Sequence, residues 1–185
     1  MIGILVILLS IVAFVLFTYF ILYNSLLRSK VEVDNAWSQI DVQLKRRHDL
    51  IPNLVSTVKG YMQHEKETLE KVIQARAAAI SAKELPERIK AEGKISGLLG
   101  RLLAVFEQYP NLKADRHALE LMEELRTTEN SIAFARQHYN DSVMKYNYKI
   151  KAFPWVIVAP MMNLSKREYF EVETEEEKKV PEVKF

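Results

Sequence analysis

The groups in this chain that could do chemistry are four histidines, His48, His64, His117 and His138, together with its carboxylates, serines and a run of three cations. His64-Glu65 opens like the helical zinc motif of metalloproteases, but the second histidine would have to stand at position 68, which is Thr68. No other histidine spacing makes a metal pair, so all four read as surface residues. Cysteine is absent, which rules out thiolate zinc sites, a cysteine nucleophile and a disulfide framework together and fits a reducing compartment. No serine sits in a glycine-flanked nucleophile turn. The GKIS run from Gly93 to Ser96 hints at a phosphate loop, yet Arg88 occupies the place of its upstream glycine and no strand precedes it. Glu123 and Glu124 lie among other charged helix positions and read as a solvated face. No catalytic, cofactor-binding or metal-binding residue is therefore expected, and no cofactor.

The elements that would have to position any site are helical. The opening 27 residues carry no charged side chain, and Met1 to Leu22 is apolar apart from Gly3, Ser10 and Thr18. Roughly 20 such residues cross a bilayer core as a helix. A cleaved signal peptide would want a basic start, a shorter apolar core and a small-residue cleavage site, none of which is present. Arg28, Lys30, Lys45, Arg46 and Arg47 all follow the apolar run and no lysine or arginine precedes it. The positive-inside rule then places the N-terminus outside and the rest of the chain in the cytoplasm. Tyr23 stands where an interfacial aromatic belongs.

Without a helix breaker between Asn24 and Lys30, the span is expected to run straight into Val31–Met62. There a column at Val33, Ile40, Arg47, Leu54 and Tyr61 and another at Trp37, Leu44, Ile51 and Val58 form one heptad seam. Arg47 is its only polar member. Pro52 removes a backbone donor and predicts either a kink or a short break, and Gly60 gives a stop. A second helix, 64–82, carries Leu69, Val72, Ile73, Arg76 and Ile80 on one side. A third, 86–109, starts at Pro86 and holds Gly93, Gly97 and Gly100 on one face, as a close packing surface or as a loosened stretch. The fourth, 112–152, sets Ala118, Leu125, Ile132, Tyr139, Tyr146 and Phe153 in one column, with Met122, Glu129, Arg136, Val143 and Ile150 beside it. Run antiparallel to the first, it brings Glu129 and Arg136 towards Arg47. A polar core layer of Arg47, Glu129 and Arg136 is one reading, and long side chains snorkelling out of the seam is the other.

The fold class that follows is all-α: a transmembrane anchor, 1–27, then an antiparallel up-and-down four-helix bundle, 28–152, whose first helix continues the span. An apolar segment, 153–167, comes next. Four alternating helices return the chain to the membrane surface there, so Trp155, Val156, Ile157 and Val158 are candidates for the lipid interface, with Lys166 and Arg167 at the head groups. A loop over the bundle end or an oligomer contact is the competing reading. The remainder, 168–185, is an acidic tail, and disorder is the simpler expectation for it. Net charge is +2, but the last fifteen residues hold six of the glutamates and three of the lysines, leaving 23 basic and 18 acidic residues before them. That mild excess, with no dense basic face, argues against nucleic acid as a partner.

The strings AWSQIDVQLKRRHDLIPNLVSTVKGYMQHEKETLEKVIQARA, YNDSVMKYNYKIKAFP and KREYFE, followed by a glutamate-rich tail, resemble the LemA family of bacterial membrane proteins over nearly the whole chain. The resemblance implies one N-terminal span in the cell membrane and a four-helix bundle, and no catalytic activity, cofactor or defined small-molecule substrate. The expected function is a non-enzymatic scaffold or adaptor that assembles with itself or with other membrane proteins beside the bilayer. The alternative is a membrane-shaping protein acting through 153–164, which the resemblance of some magnetosome-associated proteins to the family suggests. An enzyme has no positive support.

Overall fold

The computed structural model describes residues 1–171, and the acidic stretch 172–185 lies outside them. All regular structure among the described residues is helical: α1 (Ile2–Val58), α2 (Lys66–Ser81), α3 (Leu85–Phe106), the single turn α4 (Pro110–Lys113), α5 (Arg116–Lys149) and the single turn α6 (Trp155–Val158), with 3-10 turns at Gln63–Glu65 and Pro160–Met162. Helix α1 passes through Pro52 without a break, and its 57 residues join the apolar run to the heptad seam. Proline's missing donor costs one rung of the ladder, and burial of the seam on either side, Ile51 at 0 % and Leu54 at 1 % exposure, keeps the helix going.

By packing, the chain forms two compact units. The first comprises residues 1–40 and 135–169. Its side chains from Met1 to Leu16 are exposed throughout, as an apolar helix built to meet lipid requires. The polar groups of this run are turned back on the helix itself: Ser10 and Thr18 donate to the carbonyls of Val6 and Phe14, each at 2.9 Å. Burial begins at Leu26 and recurs at Ser29, Val33, Ala36 and Ile40, alternating steps of three and four. The α5 residues Tyr139, Val143 and Tyr146 are buried in the same unit. Trp37 meets Tyr139 edge to face at 5.4 Å, and Lys149 Nζ reaches the Ser29 hydroxyl at 2.8 Å. Ten residues forward on α5 thus correspond to about eight to twelve back on α1, the register of antiparallel helices.

After α5 the chain turns through α6 and the 3-10 turn. It reverses at Asn163, whose left-handed φ of 50° is one that asparagine tolerates. Leu164 N–H closes the reversal on the Ala159 carbonyl at 3.1 Å. The following strap returns along α5. Tyr146 donates to the Ser165 carbonyl, Asn147 both donates to and accepts from the Arg167 backbone at 2.9 Å, and Tyr139 donates to the Glu168 carbonyl. Burial pushes both tyrosine hydroxyls above their ordinary pKa. The strap thus reaches Glu168, the residue at which a tail was expected to begin.

The second unit comprises, among the described residues, 41–134 and 170–171. Its core joins Ile51, Leu54 and Val58 of α1 to Leu69 and Val72 of α2, Ile95, Leu99 and Leu102 of α3, and Leu121 and Leu125 of α5. Asp115 caps α5 by accepting from the backbone of His117 and Ala118. Two expectations are corrected by burial. Tyr61 leaves the seam beyond the end of α1, is 42 % exposed, and donates to Asp115. On α2 the buried stripe is Leu69, Val72, Ala75 and Ala79, so Ile73 and Ile80 face outward at 44 % and 56 % exposure. Of the two readings of the glycine face on α3, Gly97 and Gly100 fit the loosened stretch, because a β-carbon at either would meet open space.

Candidate functional site

Arg47 is fully buried, and its two terminal nitrogens find acceptors on α3 and α5, while Nε has none among the described residues. Nη1 donates to the Ser96 hydroxyl at 2.8 Å and pairs with Glu129 Oε1; Nη2 pairs with Glu92 Oε2. The Ser96 hydroxyl donates to Glu129 Oε2 at 2.9 Å, so hydroxyl, carboxylate and guanidinium close a ring. His48, the next residue on α1, sets Nε2 3.0 Å from the second Glu92 oxygen, and its backbone carbonyl accepts from Arg76 Nε of α2 at 2.6 Å. All four main helices of the unit contribute.

Glu92 is 2 % exposed. Burial pushes its pKa up most strongly, but the hydrogen bond from His48 and the charges of Arg47 and His48 together outweigh it, leaving the carboxyl below its ordinary value of 4.5. The Arg47 guanidinium beside it favours the ionised carboxylate. A fixed guanidinium occupies the centre on which these acids converge, and among the described residues no group of three histidines or acids is placed to hold a metal. The arrangement binds its own helices. An ion layer that closes in one geometry penalises slippage of α1 against α3 and α5, which is the best-attested use of buried polar groups in helical assemblies.

The structure brings Arg47 and Glu129 together. Arg136 takes no part: it belongs to the other unit and is half-buried there. Sequence reasoning missed Glu92, Ser96 and His48. The signal for Glu92 was present, since it sits between Ile89 and Ile95 on the stripe that continues through Leu99 and Leu102, and an acid there is the counterpart of an arginine in the facing seam. His48 is 7 % exposed, a correction to the surface reading, whereas His64, His117 and His138 are exposed. Of the neighbouring cations, Arg46 pairs with Glu124 at 2.8 Å on the surface.

The second candidate site lies in the first unit. Tyr23, Val156 and Ile157 are exposed, as is Lys166. Val158 is 3 % exposed and packs inward, so it is withdrawn from the interface set. Trp155 is half-buried with Lys149 Nζ 5.7 Å from its ring centre. Its indole nitrogen is enclosed, with no hydrogen-bond partner among the described residues. Arg167 pairs with Asp34 at 3.0 Å. Phe153, expected in the core column, is instead 79 % exposed, because α5 ends at Lys149 and the chain has left the helix before reaching it.

Comparison with known proteins adds a family. The LemA family profile matches residues 36–185. A protein LemA of Metamycoplasma hominis is 33 % identical over 144 residues, covering 76 % of this chain and 65 % of that relative's length. The magnetosome protein MamQ 2 of Paramagnetospirillum magneticum is 26 % identical over 189 residues, and MamQ of Magnetospirillum gryphiswaldense 25 % over 188, each covering 88 % of this chain and 69 % of the relative. The chain belongs to the LemA family.

Proposed function

We propose that this LemA-family chain is a single-pass, non-enzymatic membrane scaffold that assembles with itself or with other membrane proteins, its N-terminus outside and its helical units in the cytoplasm. The observation that carries the reading is α1: one helix is bare and apolar along its first turns and becomes core from Leu26 onward, so the anchor is a structural member of the fold. The positive charges at Arg28 and Lys30 support the orientation. The ridge of Ile73, Ala77 and Ile80, exposed on α2 at helical spacing, supports association, because it offers apolar area to a neighbour. Anchored copies meet at high effective concentration, so a modest contact suffices.

Two differently tagged copies co-expressed in one cell test this. The full chain is expected to co-isolate with its other-tagged copy from mild detergent, and Ile73→Lys/Ile80→Lys to lower the yield severalfold while helicity is kept. Equal recovery with the variant would remove the α2 ridge from the account, and no co-isolation at all would remove self-assembly. A second reading, membrane shaping through the segment after α5, is favoured by the exposure of Phe153 and Ile157. Tubulation of liposomes by a monomeric chain would support it over scaffolding.

A further inference from the structure

Phe153, Ile157 and Met161 stand four residues apart and are 79 %, 62 % and 66 % exposed, while Val158 and Ala159 behind them are 3 % exposed. The segment thus exposes three large apolar side chains while Val158 and Ala159 are covered within its own unit. Its height along α1 is set by contacts within that unit. Lys149 Nζ binds the Ser29 hydroxyl at 2.8 Å and lies 3.4 Å from the Ser25 carbonyl, and Trp155 lies under the same ammonium. Ser25 follows Leu22, the end of the apolar run, by three residues, about 4.5 Å of helix. The antiparallel register carries the chain beyond Lys149 towards the level of Tyr23, an exposed aromatic at the edge of the span. Lys151 and Lys166, both exposed, flank the row with the charge that lipid head groups attract.

We propose that Phe153, Ile157 and Met161 form an apolar foot that inserts into the head-group and upper acyl region of the same bilayer that α1 spans, giving the protein a second, shallow lipid contact. The occupant is a lipid surface because Lys149, bound to Ser25 and Ser29 and lying over Trp155, ties this segment to α1 within one to two turns of the apolar run that the span presents to lipid. A lone span leaves the protein free to rotate about its axis, and a foot to one side fixes which face lies against the membrane. The inference rests on residues 2–27 being a span, and the test separates the two.

The chain has no cysteine, so single Ile157→Cys, Phe17→Cys and Ser38→Cys variants of the full protein can each carry one environment-sensitive NBD dye. All three positions are exposed, so the dye displaces no core. The probe is a vesicle of phosphatidylcholine with one-fifth phosphatidylglycerol, containing lipids spin-labelled at shallow or deep acyl positions. Dye at 157 is expected to emit to the blue and to be quenched about twofold more by shallow than by deep labels, dye at 17 the reverse, and dye at 38 by neither. Quenching at 17 with a water-exposed, unquenched dye at 157 overturns the foot and leaves the span. A blue-shifted but lipid-unquenched dye at 157 overturns it in favour of a contact with a second copy. Equal quenching at 157 and 38 overturns a localised foot. An unquenched dye at 17 removes the span and the foot with it.

Discussion

At the scale of the residue, Arg47 decides the second unit. Removing a buried charge from a closed ring leaves its partners unpaired, so Arg47→Met should destabilise by about 3–5 kcal/mol in urea unfolding of the detergent-solubilised chain. Adding Glu92→Met and Glu129→Gln should restore much of that loss, because methionine at 92 packs without an ionic partner and the amide at 129 carries no charge to leave unpaired; additive losses would contradict the ring. The same cluster sets a pH dependence. Glu92 has a lowered pKa, so its stabilising contribution is whole above the ordinary value of 4.5 and is lost as pH falls through the folded value. The melting temperature should hold from pH 7 to about 5 and then fall, and Glu92→Gln should lose less across that fall than the natural chain. Arg47 and Glu129 could be read from the sequence because each interrupts a heptad column. Ser96 could not, since a serine on a helix has no signature until the carboxylate it serves is in place. His48 escaped for a related reason, being one residue off the seam, with its partner Glu92 on a different helix.

At the scale of the element, α3 and the strap behave differently from their sequences. Gly97 and Gly100 invite the reading of a close helix contact, yet open space surrounds both, so they only loosen α3. Gly97→Ala and Gly100→Ala should each stabilise by about 0.5–1 kcal/mol, read from urea midpoints at unchanged slope. The strap is held by polar contacts that composition does not reveal: Asn147 offers the Arg167 backbone both its amide hydrogen and its carbonyl oxygen. Asn147→Ala leaves that backbone unpaired and should cost about 1–3 kcal/mol, with hydrogen exchange accelerated at Arg167 ahead of the α5 interior. The long helices were readable because heptad periodicity survives any tertiary arrangement. Their ends were less so: α5 stops at Lys149, where an apolar column alone runs on to Phe153. On α2, isoleucines of the right spacing lie outside, and alanines take the buried positions where α2 packs against α3.

At the scale of the whole molecule, the account depends on one helix doing two jobs, meeting lipid along its first turns and supplying core side chains from Leu26 to Val58. Composition alone was enough to read the long apolar helix that opens α1, a candidate span by length and composition. Association is a different matter, because an exposed ridge on α2 becomes visible only when folding shows which isoleucines remain outside. The most direct test is native mass spectrometry of the full chain released from mild detergent, with no span removed. The account predicts masses at a discrete multiple of 21.5 kDa that fall to a single copy when Ile73 and Ile80 are both replaced by lysine. A natural chain that flies only as one copy, with and without those substitutions, would contradict it.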